Sequence, residues 1–176
     1  LDQYSDLGGA QRCLLDLLPE LAERGWQSIV AAPEGPMLDG ARAHAGVTPL
    51  QLPLLRSTRK SGRDWFRFAL DAPSIGQAAS AIVEQHAPDV VYVNGPRLIP
   101  PLAMARPGKP CVFHSHHFIA QDGARRAVRF GLRRLGAHVI ANCRYVAGQW
   151  PGLPMSVIYN GVEGGAYRAI SKPVRM

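Results

Sequence analysis

Along the chain, short unbroken apolar runs alternate with longer segments in which apolar residues return every three or four positions. The runs read as strands buried on both faces, and the spaced segments as helices with one apolar side. Cys13, Leu14, Leu17, Leu18 and Leu21 lay one broad apolar face along a helix from Ala10 to about Arg24, with Gly25 as its stop and a kink expected at Pro19. Gln27 to Ala32 reads as a strand, Met37 to Ala45 as a helix and Val47 to Leu52 as a strand. Pro53 to Gly62 is polar, basic and aperiodic, as a loop would be. Asp64 to Leu70 and, past Pro73, Ser74 to His86 read as separate helical pieces, the second with Ile75, Ala78, Ala79, Ile82 and Val83 on one side.

Pro88 to Val93 is the clearest strand. Leu98 to Ala105 follows as a short helix with Pro100 and Pro101 near its start, then Cys111 to His114 as a strand. After a loop comes an arginine-rich helix, Asp122 to Leu135, whose apolar members Ala127, Val128, Phe130, Leu132 and Leu135 spread widely. His138 to Asn142 is a strand, Asn142 is placed to cap a helix from Arg144 to Trp150, and Met155 to Ile158 is the last strand. This alternation specifies the α/β class: a Rossmann-like, doubly wound, mainly parallel sheet of about six or seven strands with helices on both faces. A length of 176 residues fits one domain.

In such sheets ligands gather beyond the carboxyl ends of the strands, near the point where strand order reverses. Gly8-Gly9, Asn94-Gly95, His114 to His117, Asn142 and Asn160-Gly161 all fall at expected carboxyl ends and so share one rim. The Gly8-Gly9 turn has two readings. It is a strand-to-helix turn without a ligand, or a seat for an anion, where glycines supply positive φ and close approach and the first helical turn offers unpaired N–H groups at the positive dipole end.

Hydrophobic residues at 47% and charged residues at 19% exclude a disordered chain. No apolar run has the length of a membrane span. The chain opens on Leu1 with neither an initiator Met nor the pattern of a signal peptide, so residues missing upstream are expected. Cys13, Cys111 and Cys143 lie in different elements without a CxxC pair, which fits reduced thiols in a cytoplasmic protein. The 20 Lys and Arg against 13 Asp and Glu give a net charge of +7. The excess forms two groups: Arg56, Arg59, Lys60, Arg63 and Arg67, then Arg125, Arg126, Arg129, Arg133 and Arg134. These are solvated surface or phosphate-attracting patches. Nucleic acid is disfavoured as a partner, because no aromatic residues are interleaved to stack on bases.

His114 and His116 project to the same side of an extended segment, but no third ligand stands at useful spacing, so no metal is expected. His138, starting a strand away from the rim, reads as structural. The absence of GxSxG, GxxxxGK[ST] and GxGxxG weighs against hydrolase-elbow, P-loop and dinucleotide readings.

The order of motifs carries a resemblance. Gly8-Gly9-Ala10-Gln11-Arg12 before a leucine-rich helix and Arg24-Gly25, then Pro88 to Pro96, Val112-Phe113-His114-Ser115, Val139 to Cys143, and Ser156 to Val162 together resemble the amino-terminal domain of the family 4 retaining glycosyltransferases, one half of a GT-B fold. The resemblance implies an enzyme that moves a sugar from a nucleotide-sugar to an acceptor hydroxyl with retention at the anomeric carbon. It makes residues 1–163 the acceptor-side domain, with its first strand truncated, and residues 164–176 the start of a crossover or a tail. The nucleotide-sugar domain would lie outside the chain, so the fragment alone is not expected to be active.

By the same resemblance His114 is the catalytic residue, orienting a sugar hydroxyl and supporting developing positive charge through its backbone carbonyl. Gly8, Gly9, Asn94, Gly95, Ser115, His116, Asn142 and Asn160 would bind substrate. No cofactor is implied beyond the nucleotide-sugar co-substrate. The departing phosphate would take the acceptor proton in a front-face mechanism. Tyr159 stands where the family usually has proline and Asn94 where histidine is frequent, which leaves the acceptor class open. The basic helix implies peripheral contact with an anionic membrane. The alternative is a free-standing Rossmann-like module that binds a phosphorylated small molecule without chemistry.

Overall fold

The computed structural model describes residues 1–50 and 62–161. Within them the elements run α1 (Gly9–Glu23), β1 (Ile29–Ala32), α2 (Pro36–Ala41), β2 (Gly46–Pro49), α3 (Gly62–His86), β3 (Val91–Val93), α4 (Ile99–Ala105), β4 (Cys111–Ser115), α5 (Asp122–Leu135), β5 (His138–Ala141), α6 (Arg144–Ala147) and β6 (Met155–Val157). All strand pairs are parallel, as alternation with helices requires.

The six described strands form two ladders, β1-β2 and β3-β4-β5-β6. Leu1 and Asp2 occupy the seam between them. Leu1 donates to the Tyr92 carbonyl at 2.6 Å and accepts from the Asn94 N–H at 2.9 Å, the pattern of a parallel pairing. On the other side Asp2 N donates to the Ala31 carbonyl at 2.9 Å. The spatial order is therefore β2, β1, residues 1–2, then β3 to β6, and strand order reverses at that seam.

Helices cover both faces. Leu14 and Leu18 of α1 and Met37, Leu38 and Ala41 of α2 pack on Val30 and Ala32, with half-buried Tyr92 against them. The larger core lies where α3, α4 and α5 meet β3, β4 and β5, around Ile99, Leu102, Phe113, Leu132 and Trp150. Phe113 and Trp150 meet edge to face at 5.7 Å.

Several sequence expectations are corrected. Helix α3 is one helix through Pro73 rather than two pieces. Burial of Ala72, Ile75, Ala79 and Val83 in the core outweighs the hydrogen bond Pro73 removes, and Ser74 Oγ donates to the Asp71 carbonyl at 2.8 Å. Pro100 and Pro101 sit in the first turn of α4, where no intrahelical donor is needed. Helix α6 ends at Ala147, and Asn142 does not cap it: Cys143 holds that position without a side-chain bond. On α5 the apolar residues divide, Val128 and Leu132 inward and Phe130 outward at 67% exposed. The expected loop from Pro53 lies, except for Gly62 at its end, outside the described residues, as do Arg56, Arg59 and Lys60; Arg63 and Arg67 are exposed on α3. His138 pairs with Ser156 Oγ at 2.9 Å across β5 and β6.

Helices α3 and α4 approach so closely that a Cβ on Gly76 would lie 2.5 Å from the Pro101 carbonyl oxygen. Gly76→Ala is expected to cost about 1–3 kcal/mol by forcing the two backbones apart. Gly123→Ala, where a Cβ meets nothing within 4 Å, serves as the control. Urea unfolding midpoints measure both; equal midpoints would contradict the packing account.

Candidate functional site

The loops leaving the seam, from Tyr4 to Gly8 and at Asn94-Gly95, border the crevice that strand reversal creates. Asp2, fully buried, sits beneath it. Its Oδ1 accepts from Tyr4 N at 2.9 Å and Gln11 Nε2 at 3.0 Å, and its Oδ2 from Gln11 Nε2 at 3.0 Å and Asn94 Nδ2 at 2.6 Å. A buried carboxylate requires such donors to offset lost hydration.

Gln11 also turns its Oε1 back to accept from Gly8 N at 3.2 Å, so one side chain binds the carboxylate and caps α1. That fold-back explains Gly8, because a Cβ there would lie 2.9 Å from Gln11 Oε1. The expected positive φ is not used: Gly8 has φ −93°, and Gly9 is not among the residues with positive φ. A Cβ on Gly9 would meet nothing within 4 Å, so this residue fronts open space. The N–H of Gly8 is taken, whereas those of Gly9, Ala10 and Gln11 have no partner among the described residues, and the first turn holds no acidic side chain. The donors this helix start offers are therefore the three N–H groups after Gly8.

Asn94 links the helix start to β4. Its Nδ2 also donates to the Ala10 carbonyl at 3.2 Å, and its Oδ1 meets His116 Nε2 at 2.8 Å. The His114 and His116 rings lie 3.8 Å apart, on the same side as their spacing predicts. His114 Nδ1 hydrogen-bonds the Tyr92 hydroxyl. A continuous line of contacts thus runs from Asp2 through Asn94 and His116 to His114 and Tyr92. Burial pushes the His114 imidazolium down to about 4, with His116 adding to the effect. Burial likewise pushes His116 down to about 4, with His117 in the same direction and Asp2 opposing. Burial raises the Tyr92 phenol. Near neutral pH the site presents two uncharged imidazoles.

Asn142 joins the cluster through its Nδ2, which donates to the His116 carbonyl at 2.8 Å; that bond draws it away from the helix it was expected to cap. Among the described residues, Asn142 Oδ1 and His114 Nε2 are buried without a partner, so hydrogen-bonding capacity is left over beside the histidines. Three expected site residues lie elsewhere. Ser115 points inward, its Oγ receiving Trp150 Nε1 at 3.0 Å and Gln149 Nε2 at 3.3 Å. Gly95 is covered by Gln3, whose Cγ would lie 2.5 Å from a Cβ there, and Gln3 Oε1 accepts from Arg97 N at 2.8 Å. Asn160 is exposed and makes none of these bonds. Sequence reasoning missed Asp2, Gln11 and Tyr92. Glutamine three residues after a glycine helix start is the half capping box that would have marked Gln11. Among the described residues no group of three or more His, Cys, Asp or Glu is arranged to hold a metal, and no helix is long and apolar enough to cross a membrane.

The low values set a pH dependence. Each histidine binds its proton less readily folded, at about 4, than at the ordinary 6.5, so between those values the unfolded chain holds more protons. Stability is therefore expected to rise with pH across that window and level off above it. Melting temperatures followed from pH 4 to 8 check this, and a His116→Asn variant should show a shallower rise. A melting temperature that falls as pH rises through the window would contradict the buried neutral pair.

Solved structures of similar fold share this arrangement of strands and helices. Alr3699/HepE of Anabaena, crystallised with UDP-glucose, superposes with a TM-score of 0.67 at 21% identity over 92% of this chain and 43% of that one. A glycosyltransferase from Rickettsia africae gives 0.63 at 14% identity over 92% of this chain and 42% of that one. MurG of Acinetobacter baumannii gives 0.51 at 13% identity over 94% of this chain and 68% of that one. This chain thus spans less than half the length of the first two. A search of curated protein sequences finds no match. The profile of Glycosyltransferase Family 4 matches residues 7–163, from the loop before the Gly pair to the segment after β6. With a Rossmann-like half of the GT-B type and a family match over most of its length, the chain belongs to Glycosyltransferase Family 4.

Proposed function

We propose that this chain is the acceptor-side, amino-terminal half of a retaining glycosyltransferase that moves a hexosyl group from a nucleotide-sugar to an acceptor hydroxyl. One observation carries the reading: an open helix start at Gly9 and an uncharged imidazole pair are joined on one rim through Asn94. The N–H groups of Gly9, Ala10 and Gln11 suit a phosphate of the donor or acceptor. Neutral rings beside buried orphan atoms suit hydroxyls, which need partners that both give and accept. In this reading His114 orients a hydroxyl of the transferring sugar.

With imidazoles that stay uncharged down to about pH 4, neither histidine is matched to serve as a general base near pH 7. The proton therefore goes elsewhere. The bond from the anomeric carbon to the donor phosphate breaks, the acceptor oxygen bonds to the same face, and the departing phosphate oxygen takes the acceptor proton. In this reading the remaining donor contacts come from a second domain of the same polypeptide, and transfer needs both halves. The UDP and UDP-glucose in crystals of Alr3699/HepE make uridine nucleotide-sugars the first donors to assay.

In this reading α5 carries the protein to the cytoplasmic surface of an anionic membrane. Arg125 is tied to Asp122 and the Ile119 carbonyl, Arg129 to the Pro151 carbonyl and Arg134 to the Ala103 carbonyl. Arg126 and Arg133 remain exposed on the outer face, with Phe130 between them. Cations flanking an exposed aromatic residue suit a lipid surface.

In the intact enzyme, His114→Ala is expected to lower kcat at least about tenfold, as loss of an oriented polar contact in the transition state would. Gly9→Val, whose side chain has room in the free protein, should weaken phosphate-dependent substrate affinity without loss of fold. Wild-type turnover in the first variant would refute the histidine's role, and unchanged affinity in the second would refute the anion seat. Binding of nucleotide-sugar with neither transfer nor hydrolysis would favour the non-catalytic module. Vesicle flotation on anionic lipid tests the surface: wild type should float, and Arg126→Gln with Phe130→Ser and Arg133→Gln should not. Equal flotation would remove the membrane reading.

A further inference from the structure

The hydrogen bonds around Asn94 determine which nitrogen of His116 carries its proton. The Ala10 carbonyl can only accept, and it lies 3.2 Å from one end of the Asn94 amide. The Asp2 carboxylate, which already receives Tyr4 N and Gln11 Nε2, lies 2.6 Å from the same end. That end is therefore the NH2 group, and Oδ1 must face His116. An amide oxygen only accepts, so His116 Nε2, at 2.8 Å, must donate. In a neutral imidazole the other nitrogen then bears the lone pair, and burial keeps the ring neutral. Nδ1 has no hydrogen-bond partner among the described residues and is not one of the buried orphan atoms. Asn142 holds the backbone of the same residue through the His116 carbonyl.

We propose that Asp2 and Asn94 are positioning residues that lock His116 as the Nε2–H tautomer, so that its Nδ1 accepts a hydrogen bond from a non-reacting hydroxyl of the incoming acceptor sugar. The proposal rests on the transferase reading above and adds to it a residue that selects the acceptor. A phosphate or carboxylate at the same place would meet a lone pair without a proton and be repelled. The site therefore takes an uncharged hydroxyl at this point, and the anion belongs at Gly9.

Two measurements test it. Long-range proton–nitrogen spectra of this chain with labelled histidine at pH 7 should show His116 with a bare Nδ1 and a protonated Nε2. In the intact enzyme, assayed with UDP-glucose and a panel of methyl glycosides, His116→Phe should lose about tenfold in acceptor kcat/KM, the value of one hydrogen bond. His116→Asn, which restores an acceptor oxygen near the place of Nδ1, should recover to within about threefold of wild type. A protonated Nδ1, or equal losses in the two variants, would overturn the role of His116 while wild-type transfer left the transferase reading standing. A wild-type enzyme without transfer from any nucleotide-sugar would overturn that reading, and the ligand assigned to Nδ1 with it.

Discussion

The structure depends on one buried carboxylate. Asp2 lies in the seam between two ladders, and its donors come from the loop after it, from the first turn of α1 and from the end of β3. Without them a carboxylate in this position would be lost hydration and nothing else, which costs several kcal/mol. With them, three elements distant in sequence are tied to one point, and the helix start, Asn94 and the two histidines come into register. Removing one partner would strand the others, because buried polar networks are stable when fully satisfied and costly when partly so.

This arrangement divides the rim by charge. The start of α1 has free N–H groups, no acidic side chain and open space at Gly9, so it favours an anion. A few residues away, burial keeps His114 and His116 uncharged, so that part favours hydroxyls. A sugar joined to phosphate has both kinds of group. The seam brings the two preferences together where strand order reverses, which is the place open parallel sheets keep for ligands.

Much of the fold was legible because it follows from local pattern. Val90 to Val93 and Val139 to Ala141 are apolar runs that only burial on both faces explains, and the leucines of α1 could serve only one side. Pro73 misled, since the cost of one missing hydrogen bond is visible in sequence and the packing that outweighs it is not. The rim was legible as a set of strand ends, yet membership of the cluster was not. Ser115 and Gly95 stand beside true members but face Trp150 and Gln3, a matter of side-chain direction that only the fold decides. Asp2 had no local signal at all, because its partners at Gln11 and Asn94 are 9 and 92 positions away. The Gly pair drew notice for conformational freedom, whereas Gly8 makes room for Gln11 and Gly9 leaves space.

The central claim is that this rim is half of a cleft for glycosyl transfer. A crystal structure of the intact protein with UDP-glucose and a bound saccharide tests it most directly. The account predicts a non-reacting acceptor hydroxyl about 3 Å from His116 Nδ1, a hydroxyl of the transferring sugar facing His114, and a phosphate against the N–H groups that follow Gly8. Sugar and phosphate bound away from α1 and β4, with Asn94 and both imidazoles facing only solvent, would contradict it.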